Sequence, residues 1–249
     1  MKETKILVSQ PKPANDKSPY YDIAAKHNAA IVFRPFIKVE PLSSRDFRQQ
    51  KVSIPDFTAV IFTAKSAIDA FFKICEELRI TIPDTMKYFC TTEAIALYLQ
   101  KYIIYRKRKI FFGTTGKLDD PALLAAFNKH NKDNYLYAIS DVHTEGGKTP
   151  MDDMKIKYTK AVLYRTVSND FTSEEPFDYN VLIFFSPQGI ESLIKNFPEF
   201  NQDNICIGVF GESTRKAAES AGLRVDFAAP TKETPSMTAA LDSFLSSRK

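Results

Sequence analysis

Glycine and cysteine are scarce in this chain and tryptophan is missing: 8 Gly, 3 Cys and no Trp in 249 residues. The glycine content is about half the ~7% usual for soluble proteins. No G-x-G-x-x-G turn and no G-x-x-x-x-G-K-[ST] loop occurs, which excludes the dinucleotide fingerprint and the P-loop. The nucleophile elbow G-x-S-x-G is absent as well. Cys75, Cys90 and Cys206 are widely spaced and odd in number. They form neither a disulfide framework nor a zinc pattern, and a reducing cytosol is the compartment expected. Long apolar runs are lacking too. The longest, such as Ala122 to Phe127, are six residues, too short to cross a bilayer. Residues 1–5 lead into a strand-like Ile6-Leu7-Val8 without the apolar core of a signal peptide. Charge is nearly balanced, with 34 Lys plus Arg against 30 Asp plus Glu and a net +4. That is too little for a dedicated nucleic-acid binder, yet compatible with an acidic small molecule.

What is present is an end-to-end alternation of short apolar runs with helical patterns, which predicts an α/β protein with largely parallel sheets. Strands are expected at Ile6–Ser9, Ile31–Phe36, Val60–Thr63, Lys87–Cys90, Lys109–Phe112, Tyr135–Ile139, Ala161–Thr166, Val181–Phe185, Ile205–Phe210 and Arg224–Phe227. Helices are expected at Tyr20–Ala29, Ser66–Leu78, Glu93–Lys101, Pro121–His130, Gln188–Asn196, Glu212–Ala221 and Ser236–Phe244. Between Ser140 and Tyr158 the pattern weakens around Gly146-Gly147 and Pro150.

An internal repeat organises these units. Asp56 to Ile68 aligns without a gap to Asp178 to Ile190, each copy a buried strand, a polar turn and a helix start. Each is followed by another strand-turn-helix, Tyr88 to Ala94 in the first and Val209 to Arg215 in the second. Two similar α/β domains explain this better than one long sheet.

In open parallel sheets, ligands bind beyond the carboxyl ends of the strands. The turns expected there are Thr63-Ala64-Lys65-Ser66, Thr91-Thr92, Gly113-Thr114-Thr115-Gly116, Ser186-Pro187-Gln188-Gly189 and Gly211-Glu212-Ser213-Thr214. Their hydroxyls fit ordinary helix caps. Several such turns on two domains also suit a polyanionic ligand, because helix N-termini attract negative charge. Tyr164, within Val162-Leu163-Tyr164-Arg165-Thr166, is expected near a strand end, where its phenol serves either as a structural group or as a hydrogen-bond donor or general acid. The basic run Arg106-Lys107-Arg108-Lys109 reads as a solvated loop. His27, His130 and His143 have no partner at metal-ligand spacing, and His143 with Asp141, Asp152 and Asp153 lacks the periodicity of a cation loop.

Taken together, several segments resemble the uroporphyrinogen-III synthase family. They are Ile61 to Ile68, Leu163 to Thr166, Phe184 to Ile190, Ile207 to Thr214, Ala221-Gly222-Leu223 and Ala229-Pro230-Thr231. The resemblance implies a first domain at 1–36 plus 170–249 and an inserted second domain at 42–160. A two-stranded linker is implied near 37–41 and 161–167, with the substrate cleft between the domains. It implies a cofactor-free, metal-free cytoplasmic lyase, monomeric, with neither nucleic-acid nor membrane partners. The implied reaction closes hydroxymethylbilane with loss of water and inversion of ring D through a spiro intermediate. Such a reaction needs a rigid mould and an assisting acid. By resemblance, Tyr164 is that proton donor, and Thr63, Ser66, Ser186, Gly189, Gly211, Ser213 and Thr214 line the cleft. The chain departs from the family's usual residues at Ala64, Cys90, Glu93 and Arg215. These departures keep a second reading open, a non-catalytic tetrapyrrole- or polyanion-binding protein of the same fold.

Overall fold

The helix Lys65–Glu77 shows how sequence pattern becomes packing here. Its residues Ala67, Phe71, Ile74 and Cys75 recur at helical spacing and are all buried, whereas Lys73, Glu76 and Glu77 face water. The same logic repeats along the computed structural model, which describes residues 3–14, 17–143, 148–171 and 176–248. In chain order the elements of the first half are β1 (Thr4–Val8), α1 (Pro19–His27), β2 (Ala29–Phe33), β3 (Ile37–Pro41), α2 (Ser44–Gln49), β4 (Ala59–Phe62), α3 (Lys65–Glu77), β5 (Lys87–Cys90), α4 (Glu93–Tyr98) and β6 (Ile110–Phe112). The rest are α5 (Pro121–Lys129), β7 (Tyr135–Ser140), α6 (Pro150–Asp153), β8 (Tyr158–Ser168), β9 (Val181–Phe184), α7 (Pro187–Asn196), β10 (Cys206–Phe210), α8 (Glu212–Ser220), β11 (Phe227–Ala229) and α9 (Met237–Ser246).

By internal contacts the chain divides into unit 1, Met1–Lys38 with Val167–Lys249, and unit 2, Val39–Thr166. Unit 1 carries a parallel sheet in the order β11-β10-β9-β1-β2. Counted along its own chain this is the 2-1-3-4-5 order of a doubly wound sheet. The second sheet runs β3-β8-β7-β4-β5-β6, and its ladders from β8 to β6 are parallel. Superposed on the first order, β4, β5 and β6 take the places of β9, β10 and β11, and β7 and β8 those of β1 and β2. The two sheets therefore share one spatial arrangement, threaded from a different starting strand.

The internal repeat maps onto this equivalence. β4 and β9 coincide in the alignment, and so do Ala64 and Ser186, the residues that precede α3 and α7. The second pair slips by two residues: the alignment sets Cys90 against Gly211, whereas the helices begin after Thr92 and Gly211. Four apolar clusters form the cores, two from unit 1 residues and two from unit 2 residues. β3 and β8 run antiparallel. The Leu42 N–H donates to the Leu163 carbonyl at 2.8 Å and the Asn169 N–H to that of Phe36 at 2.8 Å, so one index falls as the other rises.

Differences from the sequence expectation have local causes. α1 stops at His27 because Asn28 adopts the left-handed conformation at φ 49°, so β2 starts at Ala29. The last strand lies at Phe227–Ala229 rather than 224–227. Arg224 N–H is taken by Gln202 at 2.7 Å, and Asp226 accepts the Ile207 N–H at 2.8 Å. The Gln202 side chain takes the place of a ladder bond at Arg224, and backbone bonding to β10 begins only at Asp226, whose N–H donates to the Ile207 carbonyl at 2.8 Å. Two short helices escaped the pattern: α2, capped by Ser43, and α6, closed by a reciprocal Thr149–Asp152 capping box.

Candidate active site

In a sheet of this order the crevice for ligands opens where neighbouring strands lead their connections to opposite sides, beyond the carboxyl ends. In unit 2 that place is flanked by β7 and β4. A cavity of about 680 Å³ lies at that edge. Its lining follows five of the six strands in spatial order: Tyr164 from β8, Ser140 from β7, Thr63 after β4, Thr91 after β5, and Gly116 with Lys117 after β6.

Tyr164 reaches this cavity because β8 is irregular. The ladder pairs Ile139 with Val162 but Ser140 with Tyr164, so one extra residue, Leu163, sits on β8. Such a bulge breaks the two-residue alternation and re-aims a side chain. Leu163 and Tyr164 are accordingly consecutive and both buried. Tyr164 is therefore not at the strand terminus, since β8 continues to Ser168; it ends the pairing with β7 instead. Burial pushes its phenol above the usual value of 10.0, with hydrogen bonds to Ser66 and Ser140 opposing and the Asp141 charge assisting. At neutral pH it is protonated, with the Ser66 and Ser140 hydroxyls beside it.

The polar turns differ in whether their helix ends are already satisfied. Thr92 accepts the Ile95 N–H at 3.3 Å and Ser186 that of Gly189 at 3.2 Å, so α4 and α7 are capped. α3 and α8 begin at Ala64 and Gly211, and neither provides a side-chain cap. The turn at 113–116, expected to offer N–H groups to a ligand, already holds a carboxylate. Asp120, 1% exposed, accepts from Thr114 and Thr115 N–H at 2.8 and 3.0 Å and from Ala122 N–H at 2.9 Å. Those backbone bonds hold its acidity far below the ordinary carboxylate range.

Of the residues anticipated from sequence, Thr63, Ser66 and Tyr164 come together in unit 2. In unit 1, Ser186 and Gly189 form one turn. Gly189 is buried so closely that an added Cβ would lie 3.2 Å from the Phe184 ring and 4.0 Å from the Ser9 hydroxyl. Gly211 opens the next helix at φ 86°, a conformation suited to glycine. Ser213 beyond it is exposed, and Thr214 is buried with its hydroxyl unpartnered. Among the departures, Glu93 is exposed and Arg215 pairs with Glu212 at 4.0 Å. The anticipated set omitted Thr91, Ser140 and Lys117. Thr91 is 1% exposed and its Oγ1 has no hydrogen-bond partner. Ser140 and Thr91 directly follow strand-like runs, so their placement was readable; Lys117 enters through a loop and was not. No group of three metal-ligating side chains occurs among the described residues. The side chain of His143, in the cation set weighed from sequence, lies outside them. Among the described residues no helix is long and apolar enough to cross a membrane.

Comparison with known proteins bears on these features. No curated protein sequence matches the chain. Among solved structures, uroporphyrinogen-III synthetase from Helicobacter pylori is similar at 17% identity and TM-score 0.52, over 98% of this chain and 100% of that one. Uroporphyrinogen III synthase from Thermus thermophilus is similar at 14% identity and TM-score 0.39, over 98% and 97%. The family model of uroporphyrinogen-III synthase HemD matches residues 20–239. With that match spanning most of both units, the chain belongs to the uroporphyrinogen-III synthase family, lyases that close hydroxymethylbilane to uroporphyrinogen III.

Proposed function

We propose that Tyr164 is the proton donor for this closure and that the strand-end cavity of unit 2 holds the reacting end of the substrate. The observation that carries the reading is the β8 bulge, which delivers a buried, protonated phenol beside Ser66 and Ser140. A protonated donor suits departure of a hydroxyl, which leaves as water once it gains a proton. The exocyclic carbon so exposed is attacked by the substituted carbon of ring D to give the spiro intermediate. The bond from that carbon to the methylene of ring C then breaks, the unsubstituted carbon of ring D attacks the released methylene, and loss of that carbon's proton restores the pyrrole. Positioning decides the product, because unassisted closure gives the uninverted isomer. The substrate's acetate and propionate groups need donors, and the uncapped starts of α3 and α8 have them. Thr63 and Ser66 beside α3, and Ser186, Gly189, Gly211, Ser213 and Thr214 in unit 1, are the proposed substrate contacts. The chain is further proposed to act as a cytoplasmic monomer in two domains, without nucleic acid; sedimentation checks its oligomeric state.

The test is to supply hydroxymethylbilane and resolve the product isomers. Production of the type III isomer above the blank supports the reading. Formation of the type I isomer alone at the blank rate leaves the non-catalytic binding protein in its place.

A further inference from the structure

We propose that a second cavity of unit 2, at the starting edge of its sheet, binds a small amphipathic anion with its negative group at Lys109. The cavity measures about 430 Å³, within the range of small-molecule sites. Its apolar lining includes Phe72, Cys75, Ile80, Met86, Tyr88 and Ile103. Met86 and Lys109 directly precede β5 and β6, whereas Thr91 and Gly116 of the strand-end cavity follow them. Because both strands are parallel, the two cavities occupy opposite edges of one sheet.

One wall is rigid. Phe72 and Tyr102 stack at 4.4 Å and 3°, and the Tyr102 hydroxyl is fixed to Asp69, which also binds Tyr98 and Lys101. A flat apolar body would extend that stack without reordering it.

The charged lining comprises two carboxylates and two cations, and Lys109 is the one that favours an anion. Glu76 and Asp84 are exposed at the rim, and Asp84 already faces Arg106 at 3.7 Å. Lys109 is half-buried against the apolar lining, and its ammonium has no partner among the described residues. An anionic head group supplies the partner that this ammonium lacks. The exposed Lys107 and Arg108, between Arg106 and Lys109 in sequence, add positive charge to the same loop. Burial pushes the Cys75 thiol up to about 12, so it is an inert part of the lining and the site is for binding, not chemistry.

The experiment titrates an anilinonaphthalene sulfonate dye into the full chain, reading fluorescence and methyl resonances of the wild-type protein. One dye should bind saturably, shifting the methyls of Ile80, Met86, Ile103 and Ile110. Lys109→Met should weaken binding by about tenfold, and so should replacing the dye by uncharged phenylnaphthylamine on the wild-type chain. The second comparison stands even if the variant fails to fold. The proposal is overturned by absence of saturable binding, by shifts at Ile139 of the strand-end cavity instead, or by an affinity indifferent to both changes.

Discussion

Two hydroxyl-bearing residues that line the strand-end cavity of unit 2, Tyr164 and Thr91, separate a proposed chemical role from a structural one. Tyr164 is buried beside the Ser66 and Ser140 hydroxyls. Tyr164→Phe should therefore slow formation of the type III isomer by about tenfold or more, the scale of an assisting acid, with little change in unfolding midpoint. Isomer-resolved rates and a denaturant titration check both halves. Thr91 presents the opposite case, a buried Oγ1 that bonds nothing. An unsatisfied buried hydroxyl costs about 1–3 kcal/mol, so Thr91→Val, which keeps the shape, should leave stability unchanged or higher. If the hydroxyl meets a substrate carboxylate, KM rises at the same time. An unchanged KM would assign Thr91 to the packing alone.

At the scale of elements, the starts of the strand-end helices separate capped from open termini. Ser186 caps α7 through the Gly189 N–H, and Ala64 leaves α3 without a side-chain cap. Ser186→Ala should cost about 1 kcal/mol, and Ala64→Ser should add a similar amount. Equilibrium unfolding of the two variants would show the opposite signs. The contrast also gives physical content to Ala64, a departure from the family's usual serine. It removes a competitor for the N–H groups at the start of α3. The second half of the repeat shows where sequence comparison loses precision. Seven positions with one buried strand fit at more than one offset, and only the starts of α4 and α8 fix the two-residue shift.

For the whole molecule, buried and bonded ionisable groups set the response to acid. Asp120 is depressed by backbone N–H bonds, Asp152 by Thr149 and Tyr158, and Asp242 by Lys26 and His27. Each favours the charged form when folded. Its contribution is present above the unfolded value near 3.8 and is lost as pH falls through the lower folded value. His130 is depressed below 6.5 by burial and by Lys87. The unfolded chain therefore binds that proton first, and stability declines as pH drops below about 6.5 and falls more steeply under about 4. Denaturant midpoints at neutral and acid pH should follow that order. Unit 2 is one continuous stretch, Val39–Thr166, with two apolar clusters of its own. Expressed alone, it should unfold cooperatively; a non-cooperative melt would show that it depends on the rest of the chain.

By itself the sequence determined the class of fold. Buried strands and amphipathic helices carry their periods in the order of residues, since each needs only its own neighbours to bury one face. The gap-free repeat at β4 and β9 and the hydroxyl-rich turns were legible for that reason, whereas the strand at Ile37–Pro41 was implied only by the family resemblance. Tertiary structure alone decided the rest. The loop at 224–226 is set by Gln202, more than twenty residues away. Whether a Ser or Thr turn is capped, free or occupied depends on a partner such as Asp120. The bulge that turns Tyr164 into its cavity exists only when β8 is laid against β7. The scarcity of glycine excluded loops built on Gly; which hydroxyls took their place was a matter of register, and register is a property of paired strands.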